Sequence, residues 1–237
     1  MIMSKLDDRL QANVACVHER ISAAARAAGR DPRSIVLLAV SKTFGIDHLT
    51  AALRARLRAF GENYAQEGAD KIARLRDAAP DARVEWHFVG PIQSNKTRLL
   101  AESFDWVHTV ERLKIAQRLS EQRPANAAPL NVLLQVNISG EGSKSGVAPG
   151  ELPALARDVA ALPRLRLRGL MAIPAAEKDP TRQRAPFARL RGLLEQLNET
   201  GLALDTLSMG MSADLEAAIL EGATIVRVGT AIFGERN

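Results

Sequence analysis

Two hydrophobic periodicities alternate along this chain. Over residues 7–28, Leu10, Val14, Val17 and Ile21 recur at three- and four-residue spacing, which predicts an amphipathic helix. Gly29-Arg30-Asp31-Pro32 ends it, because proline cannot continue a helix. Residues 35–40, Ile-Val-Leu-Leu-Ala-Val, are apolar at every position and rich in β-branched side chains. Such a run reads as a strand buried on both faces. The succession then repeats. Strands are predicted over residues 58–60, 84–89, 105–109, 131–137, 165–171, 204–208 and 224–228. Helices are predicted over residues 46–55, 65–78, 95–102, 111–122, 151–162, 182–199 and 213–221.

Eight strands separated by helices imply a parallel sheet. Eight such units within 237 residues fit a closed (β/α)8 TIM barrel of the α/β class, with the N-terminal helix before strand one standing in for the missing last helix. An open doubly wound sheet is disfavoured, since no Gly-x-Gly-x-x-Gly turn follows the first strand. No linker divides the chain, so a single domain over residues 1–237 is expected. The loops at residues 139–146 and 174–186 are expected to be mobile.

Composition narrows the picture. Apolar content of 46% and charged content of 25% are ordinary for a globular protein. The N-terminus is too polar for a signal peptide, and no apolar run is long enough to span a membrane. The lone cysteine, Cys16, rules out an intrachain disulfide or thiolate cluster and fits a cytoplasmic location. A net charge of +5 would admit nucleic acid, but the arginines are scattered beside acids. Aromatics at 4% are too few for a stacking platform, so no nucleic-acid partner is expected.

In a TIM barrel the loops after the strands build the site. The first exit carries Ser41-Lys42-Thr43. Lys42 is one of only seven lysines, and it sits where a buried strand meets a loop. Burial disfavours an ammonium and frees the amine to attack carbonyls. A lysine paired with an acid at the sheet edge fits the same local pattern, and the two readings stand open on this segment alone. The seventh exit, Ser208-Met209-Gly210-Met211-Ser212, runs towards a helix, and the eighth ends in Gly229-Thr230. These are the two positions where TIM barrels commonly hold phosphate. Turn glycines and a serine N-cap are the plain alternative. Arg227 lies inside the last strand. An arginine in the barrel interior is costly unless it is paired, for which Glu62 is a candidate carboxylate, or liganded. His87 reads as a hydrogen-bonded structural histidine. No His/Asp/Glu set has metal-ligand spacing. A Schiff-base lysine facing a phosphate cradle suits either pyridoxal 5′-phosphate or a sugar phosphate.

The same residues carry a family resemblance. Ala39-Val40-Ser41-Lys42-Thr43, Phe60-Gly61-Glu62-Asn63-Tyr64-Ala65-Gln66-Glu67 and His87-Phe88-Val89-Gly90-Pro91-Ile92-Gln93-Ser94-Asn95-Lys96 resemble successive signatures of the pyridoxal phosphate homeostasis protein family. So do Val136-Asn137-Ile138-Ser139 with the glycine-rich loop after it, Gly169-Leu170-Met171-Ala172-Ile173-Pro174, and the stretch from Leu207 to Gly234. The resemblance implies a barrel similar to the N-terminal domain of alanine racemase. It implies pyridoxal phosphate held as a Schiff base on Lys42, with its phosphate on Ser212, Gly229 and Thr230. Arg227 would face the pyridine nitrogen, and Asn63 would lie near the ring or its linkage. One departure is visible: Phe44-Gly45 follows Lys42-Thr43 where the family usually has a polar residue and then proline.

The family's implied role is to buffer or deliver the cofactor and to influence amino-acid balance, with no established reaction. Pyridoxal-phosphate-dependent apo-enzymes are the implied recipients, and a monomer is expected. A racemase is the rival. It needs a base opposite the lysine, usually a tyrosine from a partner's additional domain. The chain stops just after strand eight, and its one tyrosine is Tyr64, so a carrier without turnover is expected. A Schiff-base aldolase acting on a sugar phosphate is the third reading.

Overall fold

A computed structural model of the protein describes residues 5–140, 145–177 and 179–235. Part of the glycine-rich fifth loop, with Lys144, lies outside these residues. Eight parallel strands close into a barrel in chain order. They are β1 (Val36–Val40), β2 (Ala59–Glu62), β3 (Glu85–Phe88), β4 (Trp106–Val110), β5 (Leu130–Gln135), β6 (Leu165–Met171), β7 (Thr206–Ser208) and β8 (Ile225–Val228). Closure comes from β1 against β8, with Leu38 opposite Arg227. The TIM barrel expected from the alternating pattern is therefore the fold.

The helices are α1 (Lys5–Ala27), α2 (Ile46–Arg54), α3 (Ala65–Ala78), α4 (Thr97–Ser103), α5 (Leu113–Gln122), α6 (Leu152–Ala160), α7 (Pro180–Glu199), α8 (Leu215–Leu220) and α9 (Thr230–Phe233). Leu10, Val14, Val17 and Ile21 are buried along one face of α1, as their spacing requires. That face packs on α2, α8 and α9, so α1 covers the seam between the first and last units. Two boundaries differ from expectation for local reasons. Asp179 accepts a hydrogen bond from the Thr181 amide and Pro180 takes the first helical position, so α7 starts inside the stretch read as a loop. Before α8, Asp214 occupies the N-cap position, so the helix expected from residue 213 begins at Leu215.

The main hydrophobic core lies between the barrel and its helices. Inside the barrel, two small apolar clusters remain: Leu38, Ala59, Val89 and Ile225, and Trp106, Leu133 and Met171. Buried polar side chains, His87, His108, Ser208 and Arg227, also lie within the strands. This interior is less apolar than barrel interiors usually are.

Candidate functional site

At the C-terminal mouth of the barrel, a cavity of about 320 Å³ is lined by Lys42, Asn63, Ser212, Arg227, Gly229 and Thr230 together with apolar neighbours. The strand exits thus bring all six residues singled out from the sequence into one cavity. Its size is in the range of small-ligand sites.

Lys42 sits in a backbone segment tied down on both sides. The Ser41 carbonyl accepts a 2.7 Å hydrogen bond from Lys71 Nζ, and the Thr43 amide donates to Glu67 Oε1 at 2.5 Å. Lys71 also binds Glu62 Oε1 at 2.9 Å and Glu67 Oε1 at 2.6 Å. Ser41 Oγ donates to Glu62 Oε1 at 2.6 Å. Thr43 adopts φ of +70°, which a β-branched residue rarely visits, and the Glu67 bond helps to hold it there. Glu62 is fully buried, and burial raises its carboxyl above the usual range against the pull of Lys71. Sequence reasoning gave Glu62 to Arg227 as a possible ion-pair partner. The structure gives it to Lys71, because Lys71 lies on the inward face of α3 rather than in solvent.

Across the cavity, Ser212 lies in a turn two residues before the Asp214 cap, so it is not itself the N-cap. The Met211 amide donates to Asp214 Oδ1 at 2.6 Å. Arg20 of α1 donates to the Ser212 carbonyl at 2.9 Å while pairing with Glu216 at 2.6 Å. The N-terminal helix therefore fixes the Ser212 turn, a role with no signal in local sequence. Gly229 precedes α9, whose first amides have no intrahelical acceptor. A Cβ on Gly229 would come within 3.2 Å of the Val40 carbonyl, so glycine lets the eighth exit lie close to the first. At the third exit, a Cβ on Gly90 would meet the Asn63 carbonyl at 2.1 Å, so glycine is needed there to leave Asn63 in place.

Arg227 is almost wholly buried. Its Nη1 donates to the Ser208 carbonyl at 2.7 Å and to Ser208 Oγ at 2.8 Å, and its Nη2 to the Ala172 carbonyl at 3.0 Å. Burial pushes its pKa down to about 10, opposed by the Asp214 carboxylate, so it is still a cation at neutral pH. Three of its five N–H donors are used. Among the described residues, the Nε proton and one Nη2 proton remain for a ligand. Behind Ser208, His108 Nδ1 lies 2.9 Å from Ser208 Oγ, and His108 Nε2 lies 2.9 Å from His87 Nδ1. His87 is thus the hydrogen-bonded structural histidine that was expected. His108 was missed, although a lone histidine in Trp106-Val107-His108-Thr109-Val110 was a signal to look inward. Asn63 Oδ1 is buried at the cavity and has no hydrogen-bond partner among the described residues.

A family model described as alanine racemase, N-terminal domain, matches residues 8–237. The pyridoxal phosphate homeostasis protein of Pseudomonas aeruginosa is 63% identical over 225 residues, covering 95% of each chain. The chain belongs to the pyridoxal phosphate homeostasis protein family. Among solved structures of similar proteins, PipY of Synechococcus elongatus with pyridoxal phosphate bound superposes with a TM-score of 0.79 at 35% identity, covering 92% of this chain and 100% of that one. An alanine racemase of Clostridium difficile superposes with a TM-score of 0.73 at 16% identity. It covers 97% of this chain and 57% of its own length, and the likeness is one of fold. Against the pyridoxal phosphate homeostasis protein pattern, Phe44-Gly45 acquires a structural meaning here. The Phe44 ring lines the cavity and stacks on Phe233 with centroids 5.0 Å apart, joining the first exit to α9. Gly45 is the residue before α2.

Proposed function

We propose that this protein binds pyridoxal 5′-phosphate, carries it covalently on Lys42, and buffers or delivers it as part of cofactor homeostasis. The observation that carries the reading is the convergence of Lys42, Asn63, Ser212, Arg227, Gly229 and Thr230 on one cavity. The residues fit the group. An amine, a turn and the start of a helix line it together. Among the described residues, Asn63 Oδ1 has no partner and Arg227 has two spare donors. Bound there, the cofactor supplies an electrophilic carbonyl and an electron-withdrawing ring. Ser212, Gly229 and Thr230 would take the phosphate. Arg227 donates only, so it would leave the ring nitrogen unprotonated and weaken the ring as an electron sink.

Holding is favoured over turnover by the cavity's lining. Among the described residues that line it, Lys42 and Arg227 alone have titratable side chains. Tyr64 is 56% exposed and not part of the lining. The recipients would be pyridoxal-phosphate-dependent apo-enzymes, and the protein would act as a monomer. Freshly purified protein should be yellow, and borohydride should fix the cofactor to Lys42 in a peptide identified by mass spectrometry. A colourless protein, or a label on another lysine, sinks the reading. Loss of α-deuterium from an amino acid that stops in Lys42→Ala would support the racemase instead. Borohydride trapping of a sugar phosphate in colourless protein would support the aldolase.

A further inference from the structure

Arginine can only donate hydrogen bonds, and an ionised carboxylate can only accept them. Arg227 stands at one end of a file of polar side chains, Ser208, His108 and His87, that runs through the barrel interior, and the half-exposed Glu85 lies beyond the other end. Arg227 Nη1 donates to Ser208 Oγ, so the hydroxyl proton is directed to His108 Nδ1. His108 Nδ1 therefore accepts, and the neutral ring carries its proton on Nε2, facing His87 Nδ1. His87 in turn carries its proton on Nε2, which lies 3.5 Å from Glu85 Oε2 and has no hydrogen-bond partner among the described residues. Burial holds both rings neutral by pushing their pKa values below the usual histidine range, most strongly for His108. The obligate donor at Arg227 thus sets the direction of each hydrogen bond from the guanidinium to His87.

We infer that Ser208 and His108 are positioning residues for Arg227: His108 turns the Ser208 hydroxyl so that its lone pair, not its proton, meets the guanidinium. The inference rests on the reading of the cavity as a pyridoxal phosphate site and adds what aims the cation there. Two main-chain carbonyls hold one proton each on Nη1 and Nη2. Ser208 Oγ takes the second Nη1 proton, which would otherwise be buried without an acceptor. With that edge fixed, the remaining donors keep one orientation. Loss of the His108 lone pair would free the hydroxyl to turn its proton onto Nη1. A polar file is costly inside a barrel whose other interior residues include Leu38, Ala59, Ile225 and Met171.

The test uses NMR of the ligand-free protein and spectra of the protein loaded with pyridoxal phosphate. At pH 7.5, long-range proton–nitrogen spectra should show His87 and His108 both protonated on Nε2. The Arg227 side-chain N–H signals should be sharp in the wild type and broadened in Ser208→Ala and His108→Phe. His108→Asn keeps an acceptor for the Ser208 proton and should restore them. In loaded protein, Ser208→Ala and His108→Phe should shift the visible absorption band and weaken uptake about tenfold, the loss of one hydrogen bond to a charged group, while His108→Asn stays near wild type. A proton on His108 Nδ1, or Arg227 signals unchanged in Ser208→Ala and His108→Phe, overturns the positioning role. Wild-type protein that takes up no pyridoxal phosphate defeats the cofactor reading instead. The ligand-free Arg227 and histidine signals then still decide whether the file positions the guanidinium.

Discussion

Lys71→Met removes the ammonium beneath Lys42 and keeps the apolar volume of the side chain. Lys71 and Glu62 are both buried and 2.9 Å apart. At an effective dielectric near 20 their attraction is about 6 kcal/mol, offset by the several kcal/mol needed to dehydrate the ammonium. Removing one partner of such a pair typically costs about 3–5 kcal/mol. Glu62 would retain one donor, Ser41 Oγ, since its Oε2 has no partner among the described residues. The loss has a ceiling. A carboxyl of ordinary pKa 4.5 can be neutralised at pH 7.5 for about 4 kcal/mol, so the stranded Glu62 protonates rather than cost more. The expected defect is therefore about 3–4 kcal/mol at pH 7.5, or roughly 10 °C in melting temperature. It should shrink by up to about 1.4 kcal/mol per unit as the pH falls towards 5.5. Urea denaturation followed by the fluorescence of Trp86 and Trp106 would measure it at both pH values. Adding Glu62→Gln should recover much of the loss, because no charge is then stranded. A defect below about 1 kcal/mol, or one that ignores pH, would refute the claim that this pair is a buried ionic contact. The same variant should weaken pyridoxal phosphate uptake, since Lys71 holds the Ser41 carbonyl beside Lys42.

Three further outcomes follow from the site's supports. Arg20→Met should weaken pyridoxal phosphate uptake by roughly three- to tenfold in an absorbance titration, with a stability loss near 1 kcal/mol, because it frees the Ser212 turn and breaks a half-exposed ion pair. Wild-type uptake would show that α1 does not position the turn. Gly90→Ala forces a Cβ to 2.1 Å from the Asn63 carbonyl and should cost about 2 kcal/mol or more in thermal unfolding, with reduced uptake, as overpacking against backbone does. An unchanged melting curve contradicts that contact. His108 is held well below its ordinary 6.5 by burial, then by His87 and the Arg227 cation. The unfolded chain therefore binds a proton near pH 6.5 that the folded ring refuses. Stability is complete above about 6.5 and falls as pH drops, by about 1.4 kcal/mol per unit, until the folded ring's own value is reached. Comparing wild type with His108→Asn at pH 7.5 and 5.5 isolates this slope, and equal slopes would show that His108 is not kept neutral.

The sequence made legible whatever depends on a strand and the loop that follows it. Lys42, Asn63, Ser212, Gly229 and Thr230 all sit at or just past strand exits, and in a parallel barrel every exit opens on the same face. Arg227 was legible for a related reason: a charged residue inside an apolar strand has to be paired or liganded. What stayed hidden depends on register or on the packing of a distant helix. Lys71 reads as one more polar helix position until α3 turns it under the Ser41 carbonyl. From sequence Glu62 is offered only to Arg227, and the packing assigns it to Lys71. His108 and Ser208 are 100 residues apart, and their bond requires β4 and β7 to face each other across the barrel. Arg20 reaches the Ser212 turn because α1 closes the seam beside α8, and no local pattern at either residue announces that contact.

These hidden contacts share a physical logic. Two polar assemblies stand behind the cavity, one under Lys42 and one behind Arg227. Each buries ionisable groups that apolar residues of similar volume would replace at little cost or some gain in stability. Glu62 has an oxygen with no partner among the described residues, Thr43 takes a disfavoured backbone conformation, and Arg227 gives up water for three carbonyl and hydroxyl contacts. A fold that needed only to be stable would fill these positions as it fills the rest of its core, with leucine, valine and alanine. Departures from local consistency concentrate where function imposes them. Here they surround the amine and the guanidinium that line the cavity, and the nearby helices α1 and α3 are drawn in to hold the site. That distribution supports a site whose chemistry lies in a fixed geometry: one amine, one oriented cation, and no further titratable side chain among the described lining residues to carry a proton away.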